Sequence, residues 1–422
     1  MALTWRDKRD KASRRWLYAL FCLLPLTAVF GHRGLAPWIL LASLPAFLRG
    51  DFWQSAFGKL FDHPSLRDPV FAGFLSLLLF CGWVLLSSFW SPRHQFNLFL
   101  YVLAPALVGG SLVWFSLNLA RAWAWRLGGA FLLAIAGGMT VLALEGVTDG
   151  FLRGLLPPQE GLTTAQRDIV ALGRGVTALA PALFPAAAIA VRRWSRPAAV
   201  FVLALGFAAA VTNDVAANVL AISIGFAAAL LALAVRRRAI QIAGWGGIAL
   251  LLGMPVIAAL LPVAAIFNWA GGLSPEMQSV LSSSLHRLAV WKATSAEIWA
   301  CLPFGCGADY ARAMKETAPL IEVPGAAASL SLMPTHPHNV FMQIWLELGL
   351  PGVLAMSGFL FFGMRMLVRA RLSRAVSAAS VGAFAAILVS VMTEGSLWQV
   401  WRLAAMALAA SGVALAHALE KR

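Results

Sequence analysis

Charge is scarce in this chain: Asp, Glu, Lys and Arg make up 12% of its 422 residues, against 60% hydrophobic residues. With a mean hydropathy of +0.78, that scarcity leaves a polytopic membrane protein. Short alternating strands are also lacking, which excludes an outer-membrane barrel. The chain has no Asp-x-Asp pair, and Cys22, Cys81, Cys301 and Cys306 form no metal signature. The net charge of +15 invites a nucleic-acid reading, but the basic residues are scattered over short loops and form no continuous aromatic-laced groove, so no nucleic-acid partner is expected. The first apolar block carries no small-residue cleavage site, so no cleavable signal peptide is expected.

What is present is a series of apolar blocks of roughly 17 to 25 residues, the length an α-helix needs to cross a hydrocarbon core of about 30 Å. They lie near 16–31, 34–48, 69–89, 95–117, 123–144, 171–191, 197–213, 215–234, 240–264, 340–364, 375–393 and 397–417, which predicts an all-α chain of about twelve transmembrane helices. The first two are short and joined by Gly31-His32-Arg33-Gly34, so they read either as two spans or as a hairpin that is not fully inserted. Basic residues cluster at 6–15, at Arg192, Arg193 and Arg196, at Arg236, Arg237 and Arg238, and at Arg365, Arg369, Arg371 and Arg374. Because Lys and Arg are retained on the cytoplasmic side, both termini are expected inside, with the amino-terminal run touching anionic lipid headgroups.

The expected organisation is one integrated membrane domain, with nine helices over 1–264, a large outer loop over 265–338 and three helices over 339–422. A smaller outer segment spans 145–170. In the large loop, Ser274-Pro275-Glu276 is a helix start, and Leu281, Leu285, Leu288, Trp291 and Ile298 give an amphipathic helix from about Met277 to Trp299 that would lie over the membrane surface. A turn at Pro303–Gly307 and a flexible stretch through Pro324-Gly325-Ala326, a lid or acceptor-facing loop, follow. Cys301 and Cys306 face an oxidising compartment in this topology and could pair, whereas Cys22 and Cys81 read as core.

Polar residues stand out against this background. His338, in Thr335-His336-Pro337-His338-Asn339, sits where a membrane helix meets water, and an imidazole there can take a proton from an incoming hydroxyl. Asn339, Gln343 and Glu347 recur every four residues, giving either a polar packing stripe or one wall of a water-filled cavity below His338. Arg174 opens the sixth span and reads as a snorkelling interfacial residue or as a phosphate clamp, since guanidinium presents paired donors to phosphate oxygens. Arg287 lies on the amphipathic helix beside His286, an interfacial or second titratable group. Asn213 and Asp214 read as a turn, and Glu394 and Arg402 as a mutual pair at the outer end of the last span.

The run His338-Asn339, nine residues, Gly349, two residues, Gly352-Val353 resembles the signature of the bacterial O-antigen ligases and their relatives, the O-antigen polymerases and protein O-oligosaccharyltransferases. Arg287-Leu288-Ala289-Val290-Trp291 followed by Pro303, Gly305 and Gly307 resembles elements of that family's large periplasmic loop, and Arg174 resembles its arginine at the start of a middle span. The likeness covers roughly 165–400. One departure is Thr212-Asn213-Asp214, where many members carry a Ser-Arg pair; whether Arg402 supplies the third arginine is left open by the sequence.

The resemblance implies a GT-C-like, metal-independent, inverting glycosyltransferase of a bacterial inner membrane, with its site facing the periplasm and no cofactor. His338 would deprotonate an acceptor sugar hydroxyl, Arg174 and Arg287 would hold the diphosphate of an undecaprenyl-diphosphate-linked glycan, and Asn339, His336, Glu347 and Arg402 would be supporting residues. The acceptor expected for a ligase is lipid A-core, in lipopolysaccharide biosynthesis. Polymerisation, protein O-glycosylation and transport of lipid-linked sugars are the alternatives, the last disfavoured by the absence of an evident inverted repeat and by the one-sided loop.

Overall fold

In the computed structural model, which describes residues 5–58, 65–155 and 164–421, the chain is a polytopic all-α protein. The main helices are α1 (Trp5–Ala28), α2 (Leu35–Phe47), α3 (Pro69–Ser87), α4 (Leu98–Leu117), α5 (Arg121–Val147), α6 (Thr164–Leu179), α7 (Leu183–Arg193), α8 (Arg196–Thr212), α9 (Ala216–Val235), α10 (Arg237–Ala259), α11 (Val263–Gly271), α12 (Pro275–Ala300), α13 (Val340–Arg369), α14 (Arg374–Thr393) and α15 (Val400–Ala418). A 3-10 turn at Ala180–Ala182 joins α6 to α7, and together they provide one span, Val170–Arg193. Among the described residues nine helices are long and apolar enough to cross a membrane, and α8 is a shorter apolar helix. The hairpin α1–α2 packs against α5 and α4.

Helix starts follow capping chemistry. Asp68 accepts from the Val70 N–H at 2.9 Å with Pro69 at the first helical position, and Ser195, Ser274 and Ser373 cap α8, α12 and α14 by accepting from the N–H three residues on. The expected amphipathic helix is therefore present with slightly wider bounds. The stretch expected to be flexible contains a two-stranded antiparallel hairpin, β1 (Leu320–Ile321) with β2 (Leu330–Ser331), with Gly325 at positive φ between them. His286 holds it down, its Nε2 donating to the Ser331 carbonyl at 2.8 Å.

Two large buried cores result, with smaller clusters beside them. One gathers side chains of α1, α2, α5 to α9, α14 and α15; the other gathers α3, the start of α4, the end of α10, α12, the first half of α13 and the 306–311 loop.

Helix α13 is not continuous. Gly349 has φ 59° and ψ −158°, a conformation closed to ordinary L residues, and Pro351 follows two positions later. The backbone groups freed by this break find partners outside the helix. Leu350 N–H donates to Pro303 O at 2.8 Å, Leu346 O accepts from Cys306 N–H at 2.8 Å, and Glu347 O accepts from Gly307 N–H at 3.0 Å. Leu348 O accepts from Trp83 Nε1 at 2.6 Å. In an apolar surround each unmade bond would cost about 1–3 kcal/mol, so the loop repairs the break that it also fits into. A Cβ on Gly349 would lie 2.3 Å from Pro303 O, which makes glycine obligatory at this crossing.

The polar stripe on α13 is packing rather than a cavity wall. Glu347, fully buried, accepts from Gln343 Nε2 at 2.9 Å, Trp398 Nε1 at 2.9 Å and Asp309 N–H at 2.8 Å, while Gln343 Oε1 accepts from Leu397 N–H at 2.8 Å. These bonds tie α13 to the loop at 306–309 and to the link before α15. Cys301 and Cys306 are disulfide-bonded at the entrance to the same loop.

Candidate active site

His338 comes within the electrostatic reach of Arg287 through the spacing of Arg287 and Trp291 on α12. Four residues apart, they share a helix face. Trp291 Nε1 donates to the Pro337 carbonyl at 3.0 Å, which fastens the His338 segment to α12 one turn from Arg287. His338 itself has φ 55°, costing about 1–3 kcal/mol for a non-glycine residue. Neighbours on both sides hold it there. Asn339 caps α13, its Oδ1 accepting from Phe341 and Met342 N–H at 3.0 and 3.2 Å, and His336 Nδ1 accepts from the His338 N–H at 3.1 Å. Because that nitrogen is an acceptor, a neutral His336 carries its proton on Nε2. The two rings stand edge to face, 4.5 Å between centroids.

The other side of the site comes from α6 and α15 in the first core. Arg174 opens its span beside Gly173, whose carbonyl accepts from Asn218 Nδ2 at 2.8 Å and from Thr177 Oγ1 at 3.1 Å. Arg402, buried near the start of α15, donates to Gln399 Oε1 and Ser390 Oγ, both at 2.5 Å, and stacks over Trp401 at 4.4 Å. Glu394 joins the two sides. Its Oε1 is 3.5 Å from Arg287 Nη2 and its Oε2 is 4.0 Å from Arg402 Nη2. The sequence gives the Glu394–Arg402 pair; the second partner, Arg287, comes from more than a hundred residues away in the chain and has no local signal.

Burial, aided by these cations, sets the state of the imidazoles. Burial and then the positive charges of Arg287, His286, Arg174 and Arg402 hold His338 well below an ordinary histidine, at about 4. Burial and the charges of His338, Arg402, Arg174 and Arg312 lower His336 to about 3. Both are neutral at physiological pH, and His338 is therefore in the form that accepts a proton.

Of the residues singled out from sequence, His338, His336, Arg174, Arg287 and Arg402 thus come together electrostatically, while Asn339 is a helix cap and Glu347 a structural lock of the 306–309 loop. Asn213 is a turn residue, donating from Nδ2 to Leu142 O at 2.9 Å and Ala209 O at 2.8 Å, with Asp214 at φ 51°. One contributor was missed. The turn at Gly31–Gly34 brings His32 against Trp401, ring centroids 5.0 Å apart. Its only sequence signal is a pair of basic residues between glycines at the outer end of a hairpin.

A family model described as O-antigen ligase matches residues 199–357, a stretch that contains Arg287, Trp291, His338 and Gly349. This segment is similar to the O-antigen ligase family. The O-antigen ligase match ends short of Arg402 and begins after Arg174, so the guanidinium groups of the first core lie outside it. No curated protein matches the chain. A function of O-antigen ligase or polymerase type and a multi-pass membrane setting are the coarse conclusions that follow.

Proposed function

We propose that this protein is an inverting glycosyltransferase of a bacterial inner membrane that moves a glycan from undecaprenyl diphosphate to a sugar hydroxyl of lipid A-core. The observation that carries the reading is a neutral imidazole, His338, set among guanidinium groups from separate helices. Its orientation, with the site towards the periplasm and both termini in the cytoplasm, is supported by the basic clusters at the opposite helix ends and by the Cys301–Cys306 bond, which belongs to an oxidising compartment.

In the proposed step the acceptor oxygen attacks the anomeric carbon from the face opposite the diphosphate. The new C–O bond forms as the bond to the phosphate oxygen breaks, and that electron pair leaves with the diphosphate. The hydroxyl proton passes to His338. Arg174 and Arg287 offset the charge growing on the phosphate oxygens, fixed donors placed where charge develops. Arg287 must exchange part of its contact with Glu394 for the phosphate, and Arg402, held by Ser390 and Gln399, stays to keep Glu394 in place. An incoming diphosphate also offsets the positive potential that depresses His338, so donor binding raises the basicity of the imidazole just when a base is needed.

The ligase over the polymerase is supported by the single large loop that carries the arginine and leads directly into His338. Purified protein given lipid-linked glycan together with either lipid A-core or a second lipid-linked glycan is expected to join glycan to lipid A-core alone, with inverted anomeric configuration. Elongation of the lipid-linked glycan would make it a polymerase, and retention of configuration would reject the single-displacement step.

A further inference from the structure

The turn between α1 and α2 reaches the same site from the amino-terminal end of the chain. Gly31, with φ 61°, packs its backbone against α6 so closely that a Cβ there would lie 2.1 Å from Ala171 O, one turn before Arg174. From the other side, a Cβ on Gly175 would lie 3.2 Å from Gly31 Cα. The turn is thus seated on both sides of Arg174. His32 then stacks on Trp401, whose ring also carries the Arg402 guanidinium, so a chain His32–Trp401–Arg402 fixes the turn to α15.

His32 Nδ1 is buried and has no hydrogen-bond partner among the described residues, and Arg33 is exposed. The charge of Arg33 bears on both His32 and Arg174. Burial and the charges of Arg174, Arg33, Arg402 and Arg153 bring His32 down to about 4, so it adds no charge of its own at neutral pH. What the turn brings is one guanidinium, on a backbone held against the helix that presents Arg174.

We propose that Arg33 is a further positioning residue for an anionic ligand at this site, binding the second phosphate of a prenyl diphosphate while Arg174 and Arg287 hold the first. The proposal rests on the glycosyl-transfer reading above, and it gives the amino-terminal hairpin a share in the donor site. The chemistry recognised is a phosphate on a lipid chain, which a diphosphate-linked carrier and an anionic phospholipid both possess.

The experiment measures the affinity of purified full-length protein for farnesyl diphosphate, farnesyl monophosphate and phosphatidylglycerol, with Arg33→Ala, Arg33→Lys and Arg174→Ala as variants. Arg33→Ala should weaken diphosphate binding about tenfold, the scale of one charge-assisted hydrogen bond in a partly wet site, and leave monophosphate and phosphatidylglycerol nearly unchanged. Arg33→Lys should recover part of the loss, and in turnover with the lipid-linked donor Arg33→Ala should raise KM with kcat largely kept. Equal weakening of all three ligands would make Arg33 a general lipid-headgroup contact and overturn the proposal. Unchanged diphosphate affinity in Arg33→Ala alongside a loss in Arg174→Ala would overturn it while leaving the transfer reading intact; no loss in either variant would remove the anion site from both.

Discussion

The core around α1, α2, α5 to α9, α14 and α15 is made of helices that carry its site residues directly, Arg174 within α6 and Arg402 near the start of α15. The core around α3, α12 and the first half of α13 is made differently: a broken helix is repaired by a loop, and His338, just ahead of the first turn of that helix, stands in a rare backbone conformation. Glu394 bridges the two by touching Arg287 on one side and Arg402 on the other. The difference teaches a division of labour. Guanidinium groups that only need to hold charge sit on regular helices, whereas the group that must exchange a proton is placed by irregular backbone that fixes it from several directions.

Breaking the second region should be the most damaging change. Gly349→Val puts a Cβ 2.3 Å from Pro303 O at a positive φ, and the expected cost of about 4 kcal/mol or more should leave little folded protein after detergent extraction, read by size-exclusion chromatography. A normal monodisperse yield would mean that the loop is not seated in the helix break. Next in size, Arg287→Lys keeps the charge but loses the fork, and transfer is expected to fall about ten- to a hundredfold, with the loss shared between KM and kcat. If turnover stayed at the unsubstituted level, Arg287 would have no part in holding phosphate.

A smaller effect sharpens the electrostatic contrast. Because His338 lies near 4 in the empty site, kcat/KM should not decline until pH falls below about 5, while the acid limb of kcat, measured with donor bound, should lie at higher pH. Arg287→Gln removes a positive neighbour and should move the kcat/KM limb upward, towards the ordinary histidine value near 6.5. A limb unmoved by that substitution would show that His338 does not feel Arg287. The smallest expectation is a null: EDTA should leave the rate of the purified protein unchanged, since guanidinium groups hold the leaving diphosphate, and restoration by added divalent ion would point to a different arrangement of charge.

The helices were legible in the sequence because lipid imposes a length and an apolar surface on each span, and the described helices from 69 to 87 and from 216 to 235 fall within a few residues of the apolar runs. The helix start at Ser274 was readable from local chemistry too, whereas the spacing of Cys301 and Cys306 left open the pairing that the structure shows. The Asn339-Gln343-Glu347 stripe was visible, but its meaning was not: one periodicity serves a wet cavity and a dry lock, and only the bonds from Trp398 and Asp309 to Glu347 decide for the lock. Least legible were contacts between distant segments. Nothing near Arg287 announces Glu394, and nothing near Gly31 announces Ala171, because these approaches depend on how whole helices pack.

The central claim is that His338 takes the acceptor proton while other groups hold the donor. It is tested most directly by a single-turnover measurement on His338→Ala with donor prebound in lipid nanodiscs. Transfer should fall by about 10²- to 10⁴-fold, the usual contribution of a general base, with donor affinity within about twofold of the unsubstituted protein. Transfer at the normal rate, or a loss explained wholly by weaker donor binding, would contradict it.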